Sequence, residues 1–337
     1  MLVSVVTPCR NEAGFIAAFI ASVMAQQSDG FEIELLVADG RSNDGTRAIL
    51  EHLVAGNPTV RCMDNPEGIV STGLNRCIEA ARGEIIVRMD VHTRYAEDYV
   101  QRCVEALTSS GAVCVGGPWK ADGAPGLQRA IADAFQSPFG SGGARSRDLA
   151  YEGPCDTVYL GCWHRKDLLA AGGFDEALVR NQDDELALRL HRAGGIIWQS
   201  PRIRSSYTPR ASIGALYRQF FQYGYWKVAV ARKHGVHASF RHMVPVLFVT
   251  ALAALGIGAL FTPLGLLALL TFCAVYLAGI TFAGFRANTQ RGWKAAFMVA
   301  LAIAAMHFGY GLGYALGVRD FRFGRRWGRA SMAVVTR

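Results

Sequence analysis

Residues 35–46 read LLVADGRSNDGT, an apolar run that stops at Asp39 and passes at once into a turn rich in Gly, Ser and Asn. A short apolar run closed by turn residues is a buried strand followed by a loop. Two further acidic clusters keep similar company: Asp90 closes IIVRMDVH over residues 85–92, and Asp183, Asp184 and Glu185 stand in RNQDDELALRL over residues 180–190, where a helical pattern opens. An open α/β sheet binds its ligands outside the carboxyl ends of its strands. The three clusters therefore predict one cleft and an enzyme, since scattered surface acids would not keep that placement.

Working outward, LVSVVTP, IELLVADG and EIIVRMD read as strands, separated by amphipathic stretches around Phe15 to Ala25, Thr46 to Val54 and Ser71 to Ala81. Such alternation predicts a mostly parallel sheet with helices on both faces. AVCVGGP and DTVYLGC add strands, and the Gly/Ser/Arg-rich segment Ser137 to Asp148 reads as a loop.

The charge is divided sharply along the 337 residues: residues 1–185 carry a net −10 and residues 186–337 a net +18, with no carboxylate from Leu186 to Arg319. The basic half is interleaved with long uncharged stretches and has no nucleic-acid recognition module, so its expected partner is an anionic bilayer and not nucleic acid. Eight isolated cysteines, without a CxxC pair, fit a reducing compartment. The N-terminus enters a strand directly, with no signal-peptide pattern, so the front half is expected in the cytoplasm.

Residues 212–234, SIGALYRQFFQYGYWKVAVARKH, place Ile213, Leu216, Phe220, Gly224 and Val228 near one helical face among cations and aromatics. An interfacial helix is the expectation, with a helix lying on the protein's own core as the alternative. No charged side chain occurs from Met243 to Phe285, a length that suits two crossings hinged at Thr262 and Pro263. The domains are thus expected at 1–210 (catalytic), 211–242 (amphipathic) and 243–337 (membrane), with spans near 243–261, 264–284 and, less regularly, 296–317, then a basic tail. A third full crossing would put Arg319, Arg322, Arg325, Arg326 and Arg329 outside, against the positive-inside tendency, so the third segment either re-enters or lies in the interface, or it spans and breaks the rule.

The ordered motifs TPCRNE, VADGRSNDGT, LNRCIEAARGEIIVRMDVH and GGFDE with NQDDELALRL resemble the inverting family 2 glycosyltransferases of the GT-A fold, over about Leu2 to Lys233. RMDVH, SPFGSGGAR, DTVYLGCWHRK, YGYW and HFGYGLGYALG are most similar to succinoglycan-type bacterial exopolysaccharide glucosyltransferases. The resemblance implies nucleotide contacts from Pro8, Arg10, Glu12, Asp39 and Asn75. Asp39 is a strong charged acceptor for a base imide or hydroxyl; Ser42, Asn43 and Asp44 are better placed to cap the helix that follows.

Asp90 and His92 occupy the position of the family's D-x-D motif, which implies contact with the donor and a divalent metal. Two residues apart in an extended strand end, they point to one side. Mg²⁺ prefers a second carboxylate where imidazole suits Mn²⁺, so the His leaves the metal open between the two. The family's E-D-x-D/E-L reads Gln182-Asp183-Asp184-Glu185-Leu186, which implies Asp183 as the base and leaves Asp184 as second candidate. An acidic helix start serving the macrodipole is the competing reading.

The Q-x-x-R-W motif of processive members appears as Gln222-Tyr223-Gly224-Tyr225-Trp226, with Tyr in place of Arg, which argues against a polymer-extruding synthase. Trp226 suits either an acceptor sugar or the membrane interface, and Arg218 and Lys227 either a diphosphate or water. Gly161, Cys162 and Trp163 resemble the family's acceptor-side loop, with an ordinary strand-to-helix turn as the alternative.

The expected activity is inverting transfer of a hexose, glucose from UDP-glucose, to a polyprenyl-diphosphate-linked saccharide at the bacterial inner membrane. Transfer to polyprenyl phosphate is the near alternative, and a non-catalytic nucleotide-sugar-binding membrane protein the distant one.

Overall fold

The computed structural model describes residues 1–235, 240–287, 291–323 and 332. They form two compact units: Met1–Lys120 with Arg145–Tyr207, and Ala121–Ala144 with Thr208–Arg337.

The first unit is an α/β layer structure around an eight-stranded sheet. Its strands are β1 (Leu2–Cys9), β2 (Glu32–Asp39), β3 (Val60–Asp64), β4 (Ile85–Arg88), β6 (Cys114–Gly117), β7 (Gly153–Pro154), β8 (Tyr159–His164) and β9 (Ile197–Gln199), in the order β3-β2-β1-β4-β8-β6-β9-β7. β1, β2, β3 and β4 run parallel, and β8 is inserted antiparallel between β4 and β6. β5 (Thr93–Tyr95) and β10 (Ser205–Tyr207) pair separately as a two-stranded antiparallel ribbon.

Strand alternation divides the core between the sheet's two faces. Val3, Val5, Leu35 and Val37 pack on one side with Phe19 of α1 (Ile16–Met24), Leu50 of α2 (Thr46–Gly56) and Cys103 of α4 (Tyr99–Ser110). Val6, Leu36, Ala38 and Ile86 pack on the other with Leu74 and Ile78 of α3 (Val70–Ala80), Leu168 of α7 (Arg165–Ala170) and Leu186 and Leu190 of α8 (Gln182–Arg192). Each fully buried aliphatic side chain contributes about 1.5–3 kcal/mol. Burial on both faces is what makes LLVA apolar without a break.

The second unit contains α5 (Leu127–Gln136), α6 (Pro138–Ser141), α9 (Ile213–His234), α10 (Val244–Ala259), α11 (Pro263–Ala287) and α12 (Gly292–Phe323). Among the described residues, three helices are long and apolar enough to cross a membrane: Phe240–Ala259 including its leading turn, Pro263–Ala287 and Gly292–Phe323. The basic tail expected after residue 323, with Arg325, Arg326 and Arg329, lies outside the described residues.

One expectation is corrected and a second is sharpened. Ser137 to Asp148 is not a plain loop: Ser137 Oγ accepts from Phe139 N and Pro138 opens α6, and a 3₁₀ turn follows at Arg145–Arg147. Residues 121–144 also cluster with the long apolar helices, where His307 Nε2 lies 2.8 Å from Phe139 O. Second, α9 combines the two readings of its sequence: Gly224, Tyr225, Trp226, Lys227, Val228, Ala229 and Val230 are buried, while Arg218, Arg232 and Lys233 are exposed. Gly309, Gly313 and Gly317 of α12 let it approach so closely that an added Cβ would meet Tyr217 O, Phe221 O and Tyr225 O of α9. One-turn spacing of small residues produces such contact.

Candidate functional site

The loops after β1 and β2 are tied into one surface. Asn11, at φ 55°, donates its backbone N–H to Ser42 Oγ at 2.8 Å and accepts from Asn43 N at 2.9 Å. Glu12 N donates to Thr46 Oγ1 at 2.7 Å, and Asp44 accepts from Ala13 N and Thr46 N. Asp39, 2% exposed, accepts from Ser42 Oγ at 2.6 Å and lies 3.6 Å from Arg47 Nη1. Pro8 is half-buried at the end of β1, and Arg10 is exposed with Nη1 3.4 Å from Gly68 O. Asp44 does the local helix work, which leaves Asp39 at the strand end as the sequence placed it.

Asp90 follows β4, and its main chain is held by Tyr95: Asp90 N donates to Tyr95 Oη at 2.6 Å, and Tyr95 Oη donates to Asp90 O at 3.0 Å. His92 Nδ1 lies 3.6 Å from Oε1 of the buried Glu12, so the ends of β1 and β4 meet there. Beyond them Tyr159 Oη meets Thr93 Oγ1 at 2.8 Å, Trp119 stacks on Tyr159 at 5.2 Å between centroids, and the Arg147 guanidinium lies 3.6 Å over Trp119.

The centre of the site is Arg88, the last residue of β4 and only 4% exposed. Its Nε donates to Asp90 Oδ1 at 2.9 Å and its Nη2 to Asp90 Oδ2 at 3.1 Å, while Nη1 donates to Asp183 Oδ1 at 2.5 Å. One guanidinium thus joins two carboxylates 93 positions apart in the chain, one at a strand end and one on the first turn of α8. A forked, always charged donor suits that task. The surrounding carboxylates hold the Arg88 pKa above its usual value despite burial.

The three acids of α8 separate by environment. Glu185 is fully buried and clamped by Arg189, with Nε at 2.9 Å from each oxygen, and Arg189 Nη2 also donates to Gly173 O at 2.6 Å. Asp184 is half-buried. Asp183 keeps 42% of its side-chain surface exposed, while its inner side lines a small cavity with Cys114, Val158, Leu160 and Leu186. That burial raises its pKa above the ordinary carboxylate range; Arg88 opposes the rise, and Asp90 and Asp184 add to it. A carboxylate so placed is a stronger base that remains within reach of a ligand.

The non-glycine residues with positive φ among those described are Asn11, Arg41, Leu160 and Asn181, at 55°, 56°, 65° and 61°. They fall after β1, after β2, beside Asp183 in the cavity wall and immediately before α8. Backbone strain of this kind concentrates at functional sites.

Other candidates fall elsewhere. Asn75 ties down the GGFDE turn, donating to Phe174 O at 2.8 Å and Glu176 Oε1 at 2.9 Å and accepting from Phe174 N at 2.8 Å. Gly161, Cys162 and Trp163 are in β8 and not in a loop. Cys162 is fully buried, and Trp163, 3% exposed, packs edge-on to Phe174. Gly161 is required at φ 112°, where an added Cβ would strike the Trp163 ring. Arg218, Trp226 and Lys227 belong to the second unit: Arg218 is exposed, and Lys227 is 5% and Trp226 3% exposed, the latter against Tyr225 and Phe321. Trp226 therefore offers no exposed ring to a sugar or to the membrane interface.

Among the described residues no three His, Cys, Asp or Glu side chains form a ready metal cage. Both Asp90 oxygens accept from Arg88, and His92 Nδ1 lies 3.6 Å from Glu12 Oε1; carboxylate and imidazole are donors suited in kind to Mg²⁺ or Mn²⁺. Sequence reasoning missed Arg88, Tyr95 and Tyr159. The signal for Arg88 was available: a charge inside the otherwise apolar IIVRMD must find partners when the strand is buried.

Residues 4–162 match the family model for glycosyl transferase family 2. Over 325 residues the chain is 31% identical to the succinoglycan biosynthesis protein ExoA of Rhizobium meliloti, covering 94% of this chain and 95% of that protein. It is 25% identical over 240 residues, 68% of this chain and 74% of the relative, to a dolichyl N-acetyl-alpha-D-glucosaminyl phosphate 3-beta-D-2,3-diacetamido-2,3-dideoxy-beta-D-glucuronosyltransferase of Methanococcus voltae. In fold it is similar to the mannosyltransferase PcManGT of Pyrobaculum calidifontis, solved with GDP-Man and Mn²⁺, with a TM-score of 0.62, 19% identity and coverage of 91% and 86% of the two chains.

Proposed function

The chain belongs to glycosyl transferase family 2, and on that premise we propose that it transfers glucose from UDP-glucose, with inversion, to a polyprenyl-diphosphate-linked saccharide at the cytoplasmic face of a bacterial inner membrane. The observation that carries this reading is the Arg88 bridge between Asp90 and Asp183. It joins Asp90, read here as the donor-side carboxylate, to the partly exposed, raised-pKa Asp183, an arrangement that supports single-displacement transfer. Asp39 receives the nucleotide, with Pro8, Arg10 and Glu12 on the neighbouring loop. Asp183 Oδ2, the oxygen that does not accept from Arg88, takes the proton of the acceptor hydroxyl as it attacks the anomeric carbon from the face opposite the diphosphate.

Asp90 and His92 would hold a divalent cation, Mg²⁺ or Mn²⁺, whose chemistry is to offset the charge of the departing nucleoside diphosphate. The Mn²⁺ bound by PcManGT supports a metal of this class. The relatives that take part in succinoglycan biosynthesis and in transfer to a dolichyl-linked sugar phosphate support a lipid-linked acceptor.

Incubation of the purified protein with radiolabelled UDP-glucose and, separately, polyprenyl phosphate or a polyprenyl-diphosphate saccharide tests the assignment. Label is expected on the diphosphate saccharide; label confined to polyprenyl monophosphate would sink it. Donor binding that survives Asp183→Ala, with no turnover in either form, would make the protein a nucleotide-sugar binder and not an enzyme.

A further inference from the structure

We infer that α12 is not a third membrane crossing: from Gly309 onward it lies with α9 in the headgroup layer, presenting Arg319 and Arg322 to anionic lipid, and its end at Phe323 stays on the face of the membrane where α10 begins. The side assigned to that face rests on the cytoplasmic reading above.

Three observations within the second unit carry this. The first is what α12 touches. Its contacts with the α10–α11 hairpin include Ala296 against Gly284 and Gly311 against Pro245 and Val249 at the hairpin's open end, and His307 and Phe308 against Phe248 and Tyr276 no deeper than its middle. The closed end is bare, with Ile257 61%, Leu260 80%, Phe261 78%, Leu264 75% and Leu267 61% exposed. A helix crossing beside the hairpin would cover one side of that end.

The second is the company α12 keeps afterwards. Gly309, Gly313 and Gly317 meet Tyr217, Phe221 and Tyr225 in ascending order, and Phe321 packs on Tyr225 and Trp226, so this half of α12 runs parallel to α9. α9 carries Arg218, Gln219, Gln222, Lys227, Arg232 and Lys233, and is not among the helices apolar enough to span. Two helices in contact over about three turns lie at one depth, and this polar partner is too costly for the hydrocarbon core. α12 is also far longer than a crossing, 32 residues against the roughly 20 that a bilayer needs.

The third is the exposed stripe. Leu312, Ala315, Arg319, Arg322 and Phe323 are exposed at helical spacing, so the stripe passes from apolar to cationic along its length. Asp320, the sole carboxylate after Glu185, accepts from Tyr225 Oη at 3.2 Å and pairs with Arg319 at 3.2 Å. The remaining charge is complementary to anionic headgroups.

Reporters on the full chain test this, because they need no enzymatic activity. Green fluorescent protein, bright in the cytoplasm, and alkaline phosphatase, active outside it, are each fused after Arg337 and, in separate strains, before Met1. The expected result is that both termini report the same face, with fluorescence bright and phosphatase at the level of a cytoplasmic control. An N-terminus inside with an active phosphatase at the C-terminus overturns the inference. Both termini outside would leave α12 as described and refute instead the cytoplasmic assignment.

Discussion

Replacing Arg88 by methionine removes a buried cation and leaves Asp90 and Asp183 facing each other across an apolar side chain of similar length. Breaking a fully buried ion pair costs about 3–5 kcal/mol. Here Asp90 and Asp183 retain 18% and 42% exposure, so water screens part of the loss. A destabilisation of about 2 kcal/mol is the discounted expectation, within reach of a folded variant. The kinetic effect has a direction that simple unfolding lacks. Arg88 lowers the Asp183 pKa against the opposing effects of burial, Asp90 and Asp184. Its loss raises that pKa further, and a base works only when deprotonated, so the acidic limb of the rate profile moves to higher pH. At pH 6 the variant should fall behind wild type by more than at pH 8.5, with turnover at the optimum reduced about 100-fold, or ~2.7 kcal/mol of barrier. Arg88→Lys keeps the charge but cannot form the three-bond fork, and should recover part of the limb position and little of the rate. The assay is initial-rate transfer of radiolabelled glucose to lipid acceptor from pH 5.5 to 9, with donor affinity measured alongside by calorimetry. An unshifted acidic limb in Arg88→Met, with wild-type turnover per folded molecule, would refute the bridge as a functional element.

Three other expectations follow from the same geometry. Asp183→Asn should abolish turnover by about 1,000-fold or more while preserving UDP binding, and Asp184→Asn should cost about tenfold or less; the reverse ranking in a transfer assay would move the base by one residue. Glu34 is pushed up by burial but held lower on balance by Ser4 and by the backbone and side chain of Arg82. A lowered folded pKa means stability present above the unfolded value near 4.3 and lost as pH falls below it, so in detergent melts Glu34→Gln should lose less of its melting temperature than wild type between pH 6 and pH 3.5. Chelation should arrest transfer and Mn²⁺ restore it, and His92→Asp should shift the preference towards Mg²⁺, read as the ratio of rates with the two ions.

The parallel half of the sheet was legible because its strands are buried on both faces. VSVVT, LLVAD and IIVRMD are continuous enough to identify, and the helices between them repeat every 3–4 residues. β3, β5, β7, β9 and β10 were not read, being two to five residues long and drawn from mixed sequence such as VRCMD and IWQ. Pairing, not composition, makes those segments strands. α9 was legible only in part for a related reason. Its aromatics and cations suit an interfacial helix, but the glycines it packs against lie some 90 residues later in α12, and a local pattern holds no trace of a partner so distant.

The acids show how far residue type carries an argument about chemistry. Asp183, Asp184 and Glu185 are one cluster in the sequence and three environments in the fold. Helical geometry turns neighbouring residues by about 100°, so three in a row cannot face one ligand. Glu185 takes the inward direction and becomes structural through Arg189. Asp183 turns towards β4, where its meeting with Arg88 depends on the antiparallel insertion of β8 between β4 and β6. That insertion sets the cavity wall, with Leu160 at φ 65° and Trp163, against the first turns of α8, and Gly161 at φ 112° joins the two wall residues. The base candidate is thereby partly desolvated without being sealed off. Its reactivity belongs to the sheet order as much as to the motif, and a substitution at Gly161, which touches no proposed ligand, should disturb it. An alanine there would drive its Cβ into the Trp163 ring. The expected result is a lower melting temperature and an acidic limb displaced towards that of ordinary carboxylates, and a Gly161→Ala enzyme with both unchanged would disconnect the β8 backbone from the reactivity of Asp183.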